Sequence, residues 1–219
     1  MAFESTHPRA TAFGALQRFA RRATPEERCE LCGLGLAAEH EHLLEPANRR
    51  LVCVCQACAI LFSGQAGQRY KRVPRRVRVM PGFQISDAQW ESLLVPINMA
   101  FFFHSSISGK MVAIYPSPAG ATESDLPEET WDEIVAANPA LRSVEADVDA
   151  LLVNRLGPKR GFPGDQYFLL PIDECFKVVG IVRVNWHGLS GGDKMWQALQ
   201  VYFTALNERA VVVGEAHHA

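Results

Sequence analysis

No apolar run in this sequence approaches the roughly 20 residues that cross a bilayer. The longest candidate, Met99–Phe103, is strand-sized, which predicts a chain with no membrane span. No apolar stretch follows Met1 or Arg21-Arg22, so neither a secretory nor a twin-arginine signal is read and a cytoplasmic location is expected. Internal repeats and low-complexity tracts are absent as well. Cysteine is scarce outside one window: five of the six lie between residues 29 and 58. Without an export signal, that clustering points to metal ligands rather than disulfides. At 219 residues the chain can bury about 70% of its unfolded surface, so it needs no covalent staples to fold.

The net charge of −2 conceals a split. Residues 1–80 carry 13 basic and 7 acidic side chains; residues 81–219 carry 9 and 17. Such asymmetry suits two surfaces with different partners, or two parts of one chain that attract each other.

Periodicity and turn signals divide the chain into a helical arm (1–28), a cysteine-bearing module (29–68), a basic connector (69–80), a mixed α+β domain (81–209) and a flexible tail (210–219). Residues 11–22 read as an amphipathic helix, and Thr24-Pro25-Glu26-Glu27 as a helix start. Leu34–Leu44 and Arg50–Val54 read as strands joined by a turn at Pro46-Ala47-Asn48, and Cys58–Gln68 as a helix. Beyond the connector, Met99–Phe103, Met111–Tyr115, Leu151–Val153 and Tyr167–Leu170 are strand-like, and Pro116–Ala121 is read as a loop. Residues 127–137 and 193–207 carry helical stripes, the second through Trp196, Leu199, Phe203 and Leu206. Ile172–Trp186 mixes β-branched residues with helical spacing and is read as a helix. The fold class expected is α+β, with a treble-clef-like zinc module followed by a mixed α+β domain.

The most specific chemical signal is Cys29-x2-Cys32-Gly33, then Cys55-x2-Cys58. Each Cys-x2-Cys turn aims two sulfurs at one point, and glycine after the second cysteine permits the tight knuckle. Two such pairs at this spacing read as a tetrahedral Zn2+ site, with iron in a rubredoxin-like site as the alternative. A rubredoxin-like site wants glycine after both knuckles, and Ala59 follows the second. Four cysteines leave no open coordination position, which favours structure over catalysis. Cys53 is an alternate to Cys55, since the two share a strand face; His40 and His42 are further alternates. The lone Cys175 reads as a small buried apolar residue.

Glu41-His42, Asn48 and the flanking knuckles resemble the HNH nuclease pattern. That resemblance implies His42 as general base and Glu41 as a metal ligand. The histidine it requires after the second knuckle is Ala59 here, so it implies the scaffold and a degenerate finger without the cleavage. The run Arg69-Tyr-Lys71-Arg72-Val-Pro-Arg75-Arg76-Val-Arg78 leaves nucleic-acid binding as an alternative. After residue 80, His104, His187 and Cys175 fit no triad spacing, and no catalytic residue is assigned. Gly188-Leu-Ser-Gly-Gly-Asp193 lacks the Lys-Ser/Thr of a P-loop and reads as a helix-to-helix turn.

Several runs taken jointly resemble one family: the two knuckles, Tyr115–Glu123, Asp149-Ala-Leu-Leu-Val-Asn-Arg155, Pro171-Ile-Asp-Glu-Cys175 and Trp186-His-Gly-Leu-Ser-Gly-Gly192. It is an uncharacterised bacterial family often encoded beside NiFe-hydrogenase genes, and the resemblance spans about Cys29 to Leu206. It implies a pathway, hydrogen metabolism, and no mechanism. The function expected is a non-enzymatic zinc-binding accessory protein for maturation, assembly or stability of a NiFe-hydrogenase. Its partner would be a hydrogenase subunit or maturation factor. The alternatives are an iron electron-transfer partner of a redox enzyme and a nucleic-acid-binding protein.

Overall fold

The structure is a computed structural model that describes residues 27–64, 69–188 and 190–213. The expected helix over 11–22 and most of the Thr24–Glu27 start lie outside the described residues.

Two sheets organise the chain. Strands β1 (Glu41–Glu45) and β2 (Arg50–Val54) form an antiparallel hairpin with His42 opposite Cys53 and Leu43 opposite Val52. The turn closes because Asn48 bonds Glu45 and the Arg50 amide, while Arg49 takes a left-handed conformation at φ 55°. Helix α1 (Gln56–Leu61) follows at once. Then β3 (Lys71–Arg72) pairs with β1, making the three-stranded sheet β2-β1-β3. The connector expected over 69–80 is therefore structured. Its end forms β4 (Arg78–Val79) in the larger sheet.

That larger sheet contains β5 (Met99–Ser105), β6 (Lys110–Ser117), β7 (Gly120–Ser124), β8 (Asp149–Asn154), β9 (Gln166–Pro171) and β10 (Val211–Val212), in the order β10-β4-β9-β8-β5-β6-β7. All pairings are antiparallel except β10 with β4. Both faces are covered, which is why the central strands read as continuous apolar runs. Along β5, Met99, Phe101 and Phe103 face one core while Ala100 and Phe102 face the other. The first core is closed by α4 (Ile172–Asn185) and α5 (Asp193–Arg209), through Cys175, Val178, Val182, Leu199, Phe203 and Leu206. The second is closed by α2 (Asp87–Ser92) and α3 (Glu128–Ala137), through Trp90, Trp131 and Ile134. A short 3₁₀ turn, Pro139–Ser143, adds Leu141.

The hairpin docks on the first of these cores. Leu44 belongs to it with Val73 and Val77, and Leu51 packs against it. The opposite hairpin face, Leu43, Val52 and Val54, joins Cys29, Cys55, Cys58 and Ala59 in a small third core. Among the described residues the chain is thus mixed α+β, with five α-helices.

Some expected elements shift. The strand expected from Leu34 begins only at Glu41; residue 35 makes a single bridge with Arg28. Pro116–Ala121 is not a free loop but the tight turn between β6 and β7, an edge strand of small polar residues that carries little apolar signal. Asp87–Ser92 is a helix that apolar periodicity missed, because Ser86 and Gln89 define it by a reciprocal capping box. The tail expected from residue 210 is partly structured as β10, and residues 214–219 lie outside the described residues. Trp196 lies beside the buried α5 stripe, where Met195 takes its place and the Arg160 guanidinium stacks on the indole.

Candidate metal centre

The knuckle at Cys29–Gly33 is built by its backbone. The Gly33 amide donates to the Cys29 carbonyl at 2.8 Å and the Cys29 amide to Leu34 O at 2.8 Å. Gly33 sits at φ 77°, a conformation that side chains disfavour. Glu30 pins the knuckle to β2: its amide donates to Cys53 O, and its carboxylate accepts from the Cys53 amide, both at 2.9 Å. The second pair comes from the other side of the hairpin. Cys55 is the residue before α1 and Cys58 lies in its first turn, where the Ala59 amide bonds the Cys55 carbonyl at 2.9 Å.

Cys29, Cys32, Cys55 and Cys58 thereby converge, with one sulfur each and all four within 4.8 Å of one another. Cys32 Sγ and Cys55 Sγ are 3.7 Å apart. A disulfide would need about 2.05 Å. A tetrahedron of sulfurs around a metal at 2.3 Å has edges of about 3.8 Å, which the observed separation matches. Electrostatics agrees. At Cys29 burial works against ionisation, yet the backbone amides of Cys55, Leu31 and Cys32 outweigh it and bring the thiol down to about 6. Burial and the three neighbouring sulfurs push Cys58 far up. Four thiols this close repel one another once ionised, and a cation among them removes that cost. The residues therefore fit a metal ion, which they would hold through four thiolates.

Cys53 is placed elsewhere. It lies on the other hairpin face, grouped with His40 and His42 and not with the four cysteines. His42 Nδ1 is 2.8 Å from Asp173 Oδ2 of α4. Glu41 points away from it and is engaged by the guanidinium groups of Arg72 and Arg75 at 3.0 and 3.4 Å. These arginines hold its carboxyl below the usual range, Arg72 most strongly and against the opposing effect of burial. The position after the second knuckle, Ala59, is buried inside the small core.

Five of the six basic residues in 69–78 meet carboxylates of this chain: Arg69 with Glu45, Lys71 with Asp147, Arg72 and Arg75 with Glu41, and Arg78 with Asp149. His104, His187 and Cys175 are not brought together. His104 borders a cavity of about 180 Å³ on the α3 side of the sheet, beside Trp131 and Met111. Cys175, on α4 itself, is buried in the core on the other side, its thiol pushed well up by burial, and His187 sits in the turn after α4. That turn carries Gly188, Gly191 and Gly192, all at positive φ, and links α4 to α5.

One grouping escaped the sequence. Asp173, Glu174, Lys177 and Arg209 line an open cleft of about 260 Å³ with His40 and His42. Glu174 is a buried carboxylate. Desolvation pushes it up, yet Lys177, Arg209 and Tyr202 together hold it below the usual range. The only sequence signal was the acidic start of α4, which also serves as an ordinary helix opening.

Comparison with curated proteins found no match, and comparison with solved structures found none either. A family model does match, over residues 28–210, which takes in the four-cysteine centre and every strand of the large sheet but β10. The chain belongs to the family of unknown function DUF5947.

Proposed function

We propose that the chain is a non-enzymatic, zinc-binding accessory protein that supports maturation, assembly or stability of a NiFe-hydrogenase, with a hydrogenase subunit or maturation factor as its partner. The observation that carries the first half is the convergence of four cysteine sulfurs, all within 4.8 Å of one another, into one donor set. Such a set leaves no position for substrate, so the metal serves to order the module. Knuckle, hairpin and cysteine-bearing helix follow one another in treble-clef order. The second pair rides a helix and is followed by the buried Ala59, not by a second glycine knuckle, which favours zinc over rubredoxin-like iron.

Two features favour a protein partner over nucleic acid. The basic run is largely neutralised by carboxylates of the same chain, which weakens the counterion release that drives phosphate binding. Among the described residues, Leu34, Ile60, Leu61 and Phe62 of the module are exposed, a kind of surface that protein contacts cover. The hydrogenase itself rests on the family resemblance of the quoted motifs.

The test is deletion of the gene in its host, with hydrogen uptake, subunit processing and co-purification measured together. The proposal expects reduced uptake and a hydrogenase component bound to the tagged protein. Normal uptake, fully processed subunits and no co-purifying hydrogenase would refute it.

A further inference from the structure

We propose that His40, His42 and Cys53 form a second metal site, a three-ligand centre for a borderline-soft divalent cation such as Zn2+, separate from the four-cysteine centre.

Strand geometry brings the donors to one face. His42 and Cys53 are directly opposite each other in the β1–β2 register. Opposed residues on one face have Cβ atoms about 5 Å apart. His40 lies just before β1, and its ring centroid is 4.8 Å from that of His42. The neighbouring residues Leu43, Val52 and Val54 face the other way, into the core beside the four cysteines. One ligand atom each from His40, His42 and Cys53 lies within 4.8 Å of the others. A tetrahedral N₂S site needs edges of about 3.3–3.6 Å, so closure takes a side-chain adjustment of about 1 Å.

The imidazoles are oriented as metal ligands are. His42 Nδ1 is held by Asp173 Oδ2 at 2.8 Å, and that carboxylate is fixed in turn because its Oδ1 accepts the Glu174 amide at 2.9 Å. His40 Nδ1 faces the Ala37 carbonyl at 3.0 Å and Glu27 Oε2 at 3.5 Å. In both rings an acceptor at Nδ1 places the proton there and leaves the Nε2 lone pair free, the arrangement by which carboxylates and carbonyls position ligating histidines.

His40 supplies an independent observation. Its side chain is 9% exposed, and its Nε2 is buried with no hydrogen-bond partner. Buried polar atoms are normally hydrogen-bonded; this one has a bare nitrogen on a ring whose centroid is 4.8 Å from the His42 imidazole, in a residue grouped with the Cys53 thiol. Two imidazoles and a thiolate exclude hard cations, which take oxygen ligands, and suit zinc and its neighbours. Three protein ligands also leave a fourth position, and the cleft of about 260 Å³ bordered by His40 and His42 adjoins the site. Unlike the closed four-cysteine centre, this one can exchange its metal or take an outside ligand.

The experiment uses full-length protein prepared without chelators, loaded with Zn2+, and examined by elemental analysis and zinc X-ray absorption. The expected result is two zinc ions per chain and a mixed first shell of sulfur plus imidazole nitrogen. Cys53→Ser and His40→Gln each lower the count to one and leave an all-sulfur shell, with the far-UV circular dichroism unchanged. An all-sulfur shell in the parent protein would overturn the second site while leaving the four-cysteine centre intact. So would two zinc ions that survive both substitutions. A parent protein whose zinc shows only the mixed, nitrogen-rich shell would uphold this site and remove the four-cysteine one.

Discussion

Lys71→Met tests whether the basic run is internal glue. Asp147 is 3% exposed and adopts a left-handed backbone at φ 71°. Its Oδ1 accepts the Ser106 amide at 2.8 Å, and Lys71 Nζ forms an ion pair with Oδ2 at 2.7 Å. The same ammonium donates to Ala146 O at 3.1 Å, tying β3 to the turn before β8. Removing one partner of a fully buried pair costs about 3–5 kcal/mol, and an exposed pair is worth about 0.2–1 kcal/mol. Lys71 is 33% exposed against a buried partner, which places the cost near 2 kcal/mol. With a urea slope of about 2 kcal/mol/M, the unfolding midpoint falls by about 1 M.

The sign with pH follows from Asp147. Burial pushes its carboxyl up, but Lys71 and the Ser106 contacts outweigh it and hold it below its usual value. Its contribution is therefore complete above the unfolded value of about 3.9 and is lost only as pH falls through the lowered one. Between pH ~6 and ~8 the gap between variant and parent stays constant. Asp147→Asn in the Lys71→Met background costs less than the two single losses combined, because the unpaired buried charge is gone. A loss below about 0.5 kcal/mol, or strict additivity, would refute the reasoning.

Two further substitutions probe the larger core and a local signal. Phe203 is 1% exposed between Phe162 and Phe168, with ring centroids at 5.5 and 6.1 Å. Phe203→Ala costs about 3–5 kcal/mol and lowers the calorimetric Tm by roughly 10 °C. Ser86 Oγ accepts the Gln89 amide at 3.1 Å at the start of α2, so Ser86→Ala costs about 1 kcal/mol in urea unfolding and Ser86→Gly only a few tenths.

The four cysteines were legible because their chemistry is local: each pair is one turn, and the spacing between pairs is one hairpin. The central strands were legible for a similar reason, since Met99–Phe103 is apolar at every position when both sheet faces are covered. Helix α4 was ambiguous because its β-branched residues mimic a strand; the structure decides for the i, i+3, i+4 spacing of Cys175, Val178 and Val179 on the core. What stayed hidden depends on long-range closure. Nothing adjacent to His42 announces Asp173, which lies 131 residues away. The carboxylate partners of the basic run were hidden too, because they come from β1 and from the start of β8. Cys53 and Cys55 looked interchangeable because they share a face in an ideal strand. The chain leaves the strand at Val54, so Cys55 turns back to the knuckle while Cys53 keeps the opposite face.

The most direct measurement is elemental analysis of protein purified without chelators, on the parent chain and on Cys58→Ser. The expected result is a colourless protein with at least one tightly held zinc, which stabilises the module by on the order of 10 kcal/mol, and the loss of one equivalent in the variant. A red, iron-loaded protein would move the site to electron transfer. Less than about half an equivalent of zinc or iron in the parent would contradict the four-cysteine centre.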